Sequence, residues 1–371
     1  MARALALALA GDGWQVALAG RLEAEPGAAP DVRAYALNAR SIALLERLRV
    51  WPQLKAWSTP VESMVIRGDA RGTLEFSAWQ QRVAELAWIV DAAALERLLG
   101  EALRYAPRVE VVPPLSGPHP SVQADLLAVC EGKQSATRAS LGVEFDRADY
   151  GHWGVAARLK ASLPHRGVAR QWFRSPDIVA LLPFHDPAPG ASYGLVWSLP
   201  KVRAEALLGL SEADFTLALQ EALAEADPAV AEAVGELSLA SPVAAWPLAL
   251  AKAQRWQGPG WVLVGDAAHQ VHPLSGQGLN LGFADVDTLA SVLGEAKRNE
   301  SWRSAGDEKL LRRYARRRAT PTQSMQLLTD GLLHLFADDR QPVRELRNAG
   351  MSLVDRLPGV KQWLVGRALD A

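Results

Sequence analysis

The chain has 371 residues, enough for two domains or for one large domain carrying an insertion. Lys and Arg total 40 against 41 Asp and Glu, a formal net charge of −1, so no global field draws the chain to nucleic acid. With 22% charged and 49% hydrophobic residues the composition excludes a disordered chain, and a lone cysteine, Cys130, excludes an internal disulfide or a cysteine-based metal cluster.

That cysteine usage suits a reducing cytoplasm, and no apolar run reaches the roughly 18 residues a membrane span needs, so the expected membrane contact is peripheral. Residues 1–10, MARALALALA, admit three readings: a signal peptide, an amphipathic helix, or a helix whose preceding residues are missing. Ala and Leu favour a helix, Gly11-Asp12-Gly13 stops it, and Trp14 to Ala19 reads as a strand, which together make half of a βαβ unit. After a Pro/Gly-rich loop from Pro26 to Pro30, Leu44, Leu45 and Leu48 predict a second helix over Asn38 to Arg49. Met64 and Ile66, then Gly68 to Gly72, then Leu74 and Phe76 predict a hairpin. Asp91 suits the N-cap of a helix through Leu95, Leu98, Leu99 and Leu103, followed by a strand from Val109 to Val112.

A Pro-rich connector over 113–124 leads into a buried strand, Leu126 to Cys130, and then Glu131-Gly132. Trp153 to Leu159, Val168 to Phe173, Ile178 to Leu182 and Tyr193 to Ser198 predict an antiparallel sheet without intervening helices. Residues 203–237 read as an Ala-, Leu- and Glu-rich helix. The strand Trp261 to Val264 runs into Gly265-Asp266 and a long helix from about Gly278, and the C-terminal stretch is helical throughout.

The segment from Trp261 to Gly282, WVLVGDAAHQVHPLSGQGLNLG, carries the chemistry. A buried strand places Asp266 at its carboxyl end, where open α/β sheets bind ligands, and the carboxylate can accept a ribityl hydroxyl. Gly276 and Gly278 remove side chains where backbone N–H groups approach a ring, and a helix start adds a positive dipole end, which suits the negative charge of a reduced flavin. Blander readings stand beside this one. Asp266, His269 and His272 have the residue types of a metal set, but their spacing converges only on a helix, which the following Pro and Gly break. Ser275-Gly276 does not fit a nucleophile elbow. Arg312, Arg313, Arg316, Arg317 and Arg318 suit either an anionic ligand or a solvated helix face. Trp88, Trp172 and Trp197 suit either a pocket or the core, and Asp266 alone suits an ordinary cap.

This segment resembles the second flavin-binding motif of the para-hydroxybenzoate-hydroxylase-like FAD-dependent aromatic hydroxylases, and among them is similar to the ubiquinone-biosynthesis hydroxylases. Asp31 to Asn38 (DVRAYALN) with Ser41 and Leu44-Leu45, Leu86 to Val90 (LAWIV), Ala180 to Pro183 (ALLP) and Val196 to Pro200 (VWSLP) agree in order and spacing. The resemblance covers about residues 2–335 and implies an α/β fold. Its parts would be a doubly wound, Rossmann-like FAD-binding domain (1–60, 91–148 and 241–300), an inserted antiparallel-sheet substrate domain (61–90 and 149–240), and C-terminal helices (301–371). It implies that Asp266 holds the ribityl chain and that Pro273 is the catalytic neighbour of the flavin, its carbonyl facing the substrate ring. Gly276, Gly278, Leu279 and Asn280 would cradle the pyrimidine side, and Arg33 would touch the cofactor. Glu131-Gly132, with Ser135 and Arg138, matches an Asp-Gly motif near the pyrophosphate and nicotinamide path, with Glu in place of Asp. Glu96 stands where relatives often have a Gln contacting the cofactor. No metal is expected.

Two departures are visible. The family opens with a strand and a G-x-G-x-x-G turn that this sequence does not contain, because Gly11 and Gly13 follow a helix and precede a strand. Gly20 occupies the place of the acidic residue that binds the adenosine ribose, with Glu23 and Glu25 further along. The reading therefore expects a start codon assigned too late, with roughly two dozen residues upstream of Met1 completing the central strand. The implied activity is that of an FAD-dependent monooxygenase taking electrons from NADH or NADPH and forming a C4a-hydroperoxyflavin with O2. Its implied substrate is a polyprenylphenol of ubiquinone biosynthesis, with no nucleic-acid partner. Contact with a membrane surface through the C-terminal helices, or with a biosynthetic complex, is the expected setting. The alternatives are a non-catalytic flavin-fold scaffold, a truncated gene product with impaired FAD binding, and a halogenase or reductase sharing the fold. The Trp-x-Trp-x-Ile-Pro segment of flavin halogenases is absent from the sequence.

Overall fold

A computed structural model describes residues 1–20, 22, 31–68, 72–114, 123–271 and 277–337. The Ala/Leu run forms the helix Ala2–Gly11, whose Ala4, Leu5, Ala8 and Leu9 are buried in the largest core. Gly13, at φ +83°, turns the chain into the strand Val16–Ala19, which runs parallel to Val109–Val112. The strand Trp261–Leu263 pairs in parallel with Leu127–Val129 and takes Gln257–Gly258 on its other edge. Among the described residues these form separate two-stranded and three-stranded sheets that share one core. Further helices packed on that core include Ala39–Arg47, capped by the Asn38 side chain, Ala92–Arg104, capped by Asp91, Gln277–Asn299 and the start of Glu308–Ala337. Both caps accept from a backbone N–H three residues on, which satisfies an orphan donor of the first turn.

The second layer is a nine-stranded sheet built around Phe145–Ala161. Ser192–Pro200 and Ala244–Ala253 flank that strand, and Asp177–Phe184 and Val168–Arg174 follow outward, all antiparallel. The period of two sorts its side chains. Val155, Leu159, Tyr193, Leu195 and Trp197 face Phe215, Leu219 and Leu223 of the helix Glu212–Ala226, where burial of each is worth about 1.5–3 kcal/mol. Gly154, Ala156, Arg158 and Gly194 share the opposite face, toward the first layer. Gly194 is needed there, because a Cβ on it would lie 2.6 Å from the Cβ of Ala34.

Two expectations change in the structure. The hairpin is present as Ser63–Arg67 and Thr73–Ser77 on the edge of the large sheet, but the neighbouring Thr59–Val61 and Ala87–Asp91 pair with each other, and Ala87–Asp91 takes Ala34–Leu37 on its other edge to make a separate three-stranded sheet. The helical run at 203–237 is broken into Lys201–Leu208, Glu212–Ala226 and Val230–Val234. Ser211 caps the second of these by accepting from Asp214 N–H, and Asp227-Pro228 ends it, so local capping overrides composition. The helix Glu308–Ala337 follows the long one, and residues 338–371 lie outside the described residues.

Candidate functional site

The strand Trp261–Leu263 belongs to the first layer, whereas His269–Gln270 pairs with Ala251 and Lys252 of the large sheet. The turn between them therefore sits at the seam of the two layers. Gly265 adopts φ +63°, and Asp266 follows in a short 3-10 turn, Gly265–Ala267. From Gly265 to His269 every residue is buried except Asp266. Among the described residues nothing hydrogen-bonds or ion-pairs with its carboxylate. Protein packed around the turn pushes the Asp266 carboxyl above its ordinary value, with His269, the amino terminus, Lys133 and Arg33 pulling the other way.

Arg33 is held by Asp31 through Nε at 2.8 Å and Nη2 at 2.6 Å, and lies 5.5 Å from the Tyr35 ring and 5.9 Å from that of Trp246. The hydrogen bond from Arg33 to Asp31 raises the guanidinium pKa further, so Arg33 is always a cation. Arg158 reaches across from the large sheet, donating to the Asp31 carbonyl at 3.0 Å and pairing with Asp91 at 2.5 Å. It ties the Asp31–Arg33 segment to the large sheet. Tyr35 sits among the charges of Arg33, Asp31, Asp266 and Glu96, and burial pushes its hydroxyl up to about 12.

The remaining sequence candidates divide. Glu96 turns its carboxylate to Arg3, 3.2 Å away, at the start of the first helix. Glu131 accepts from Ser135 Oγ, Thr137 Oγ1 and Thr137 N–H at 2.6, 2.6 and 3.0 Å. Burial would raise its pKa, but those bonds outweigh it and hold the carboxyl low. Gly132 needs its left-handed φ of +77° and has open space beside it among the described residues. Arg138 donates to the carbonyls of Ala267 and Lys133, at 3.1 and 3.0 Å, and so ties the Glu131-Gly132 loop to the Asp266 turn. Gly278 stands in the first turn of Gln277–Asn299, and a Cβ there would meet, among the described residues, only Val271 Cγ2 at 3.9 Å. Leu279 is half-buried against the main core. The Asn280 side chain is committed to the protein: Nδ2 donates to the Ala36 carbonyl, and Oδ1 accepts from Asn38 N–H and Ser41 Oγ. What Asn280 retains for a ligand is its backbone. Pro273 and Gly276, with His272 and Ser275, lie outside the described residues.

Tyr35, Trp246 and Asp285, to which the sequence gave no role, belong to this site, as does Arg318, which the sequence marked only as part of an arginine run. Tyr35 lies inside the DVRAYALN segment, but nothing local marks Trp246 or the Asp285–Arg318 pair. His269 donates from Nε2 to Asp285 at 2.6 Å, which turns it into the protein and away from a shared metal with Asp266. Among the described residues no cluster of three His, Cys, Asp or Glu side chains is placed to hold a metal. Of the arginine run, Arg312 pairs with Glu308, Arg313 with Glu300 and Arg317 with Glu295 along a helix face, whereas Arg318 is buried on Asp285. Among the described residues no helix is long and apolar enough to cross a membrane.

The donor set fits a flavin. A free carboxylate at a strand end suits a ribityl hydroxyl, and a first-turn glycine that no described neighbour requires leaves its surroundings to a ligand. Comparison with known proteins agrees. A family model described as FAD binding domain matches residues 104–327. The 3-demethoxyubiquinol 3-hydroxylase of Escherichia coli K12 is 30% identical, over 99% of this chain and 95% of its own length. The ubiquinone biosynthesis monooxygenase COQ6 of Drosophila melanogaster is 28% identical, over 91% of this chain and 79% of its own. Among solved structures, Pseudomonas aeruginosa PqsL in complex with 2-aminobenzoylacetate superposes with a TM-score of 0.74 at 20% identity, covering 94% of this chain and 95% of that one. The p-nitrophenol 4-monooxygenase PnpA of Pseudomonas putida DLL-E4 gives the same TM-score, 0.74, at 17% identity, covering 99% of this chain and 95% of that one. The chain belongs to the FAD-dependent aromatic hydroxylases of the ubiquinone-biosynthesis family.

Proposed function

We propose that the chain hydroxylates the aromatic ring of a polyprenylphenol on the route to ubiquinone, using FAD, O2 and NADH or NADPH. The observation that supports this is the Asp266 carboxylate, unengaged among the described residues, at the seam where the α/β layer meets the large sheet. Bound there, FAD would pass electrons from the nicotinamide to O2 and supply one oxygen atom to the ring. The protein's part is to bind, to orient and to keep water out, which is why no acid–base dyad is needed.

In this reading Asp266 accepts a ribityl hydroxyl, and Gly278, Leu279 and Asn280 offer backbone at the positive end of a 23-residue helix. Glu131 and Gly132 border the approach of the pyrophosphate and nicotinamide, and Glu96 stands beside the cofactor. Arg33 supplies a fixed cation, and Tyr35, with its pKa near 12, remains a hydroxyl donor at neutral pH. Trp246 presents an aromatic wall from the large sheet. A prenyl tail partitions into bilayers, so we place substrate transfer at a membrane surface on the cytoplasmic side, with the C-terminal helices as the contact.

The test is a flavin titration of the purified chain followed by turnover. Saturable quenching of flavin fluorescence is expected, then NAD(P)H oxidation stimulated by a prenylphenol, with a product heavier by one oxygen atom derived from O2. Failure to bind flavin removes the enzyme reading in favour of a non-catalytic scaffold. Oxidation without an oxygenated product makes the chain a reductase.

A further inference from the structure

Asp285 and Arg318 form a buried ion pair that the proposed chemistry does not use, their side chains 0% and 2% exposed. Asp285 projects from Gln277–Asn299, and Arg318 from the following helix, Glu308–Ala337. The Asp285 carboxylate receives three donors. Oδ1 accepts from Arg318 Nε at 2.7 Å, and Oδ2 accepts from His269 Nε2 at 2.6 Å and from the backbone N–H of Gly265 at 2.9 Å. Arg318 Nη2 also donates to the Leu281 carbonyl at 3.2 Å, and His269 stacks on Trp256 with ring centroids 4.9 Å apart.

A buried ion pair is a poor way to gain stability, since well-packed apolar replacements are often as stable or more so. What this one specifies is local. One carboxylate grips the first and last residues of the segment Gly265 to His269, and the single exposed residue between them is Asp266. We propose that Arg318 and Asp285 are positioning residues for the Asp266 carboxylate, so that the C-terminal helix, through Arg318, sets the geometry of the cofactor-binding turn. This rests on the flavin reading of Asp266 for its ligand, though the grip on the turn is a property of the chain alone. By linkage, whatever lifts the helix Glu308–Ala337 loosens the cofactor, and cofactor binding tightens that helix.

The experiment combines hydrogen exchange with flavin titration on the full chain, comparing wild type, Arg318→Met and Arg318→Lys. Without FAD, Arg318→Met should speed exchange over residues 265–269 at least tenfold and leave residues 192–200 of the large sheet unchanged. It should also weaken FAD binding at least tenfold, with Arg318→Lys recovering part of both effects. Unchanged exchange at 265–269, or unchanged FAD affinity in a folded Arg318→Met chain, overturns the proposal. Should Arg318→Met not fold, Asp285→Asn and the wild-type chain decide. FAD must then slow exchange over residues 312–322 in wild type and lose affinity in Asp285→Asn, and the absence of either effect overturns the linkage. A wild-type chain that takes no FAD refutes the flavin reading, and the cofactor-free exchange data still judge the positioning claim.

Discussion

Substitution of Gly278 by Ala separates a ligand cradle from a structural glycine, because the two roles predict opposite signs for stability. Gly278 lies in the first turn of a helix, and its φ is outside the left-handed region. Among the described residues an added Cβ meets only Val271 Cγ2, at an ordinary van der Waals distance of 3.9 Å. Glycine in a helix is less favourable than alanine by about 0.5–1 kcal/mol. The cofactor-free Gly278→Ala chain should therefore gain up to about that much, a rise in Tm of about 1–2 °C. The added methyl occupies space reserved for the ring, and overpacking of a fitted contact costs about 1–3 kcal/mol, or about 5- to 150-fold in affinity. Thermal melting without FAD measures the first effect, and flavin fluorescence titration the second. A Gly278→Ala chain that is less stable than wild type, or that binds FAD equally well, refutes the assignment of Gly278 to the cradle.

The Asp266 carboxyl is raised in the free chain, and a ribityl hydroxyl donating to it favours the charged form. FAD binding should then release a proton, with affinity climbing as pH rises through the titration of Asp266 and flat above it; Asp266→Asn should bind more weakly and lose this slope. For Asp285, burial acts upward but His269 and Arg318 outweigh it and hold the folded carboxyl below its ordinary value. Its stabilisation is complete above about pH 4 and disappears as pH falls through the depressed folded value. Urea midpoints between pH 6 and pH 2 should fall more steeply for wild type than for Asp285→Asn, and parallel curves would show the pair to be uncoupled from folding. Gly194→Ala places a Cβ where it would meet Ala34 at 2.6 Å, so the sheet must shift off the strand Ala34–Leu37 that follows Arg33. A loss of about 1–3 kcal/mol is expected, together with more NAD(P)H oxidised per hydroxylated product; an unchanged product ratio would show that the contact does not set the site.

Much of this architecture is local, and local signals are what a sequence displays. The caps at Asn38 and Asp91, the period-two strands of the large sheet and the Gly-Asp turn after a buried strand all depend on residues within a few positions of one another. The same locality explains what was hidden. The apolar run at Ala87–Asp91 suits a strand, but nothing local says that it lies between Ala34–Leu37 and Thr59–Val61 rather than beside the adjacent hairpin. Glu96 reads as an exposed helix residue until the fold brings it to Arg3, 93 positions away.

The arginine run on the C-terminal helix carries this argument to the site itself. As a pattern, Arg312 to Arg318 is a charged helix face, and for Arg312, Arg313 and Arg317 that is what the fold makes of it, each paired with a glutamate near the surface. Arg318 has the same chemistry one position further along, yet a helix turns about 100° per residue, which is enough to move a side chain from solvent to core. It is buried because Asp285, on another helix, waits there with one oxygen already committed to Gly265 and His269. No window around either residue contains that fact. The exposed carboxylate of Asp266 is legible because it is the end of a local motif, whereas the charges that hold its turn are legible only once two helices have crossed.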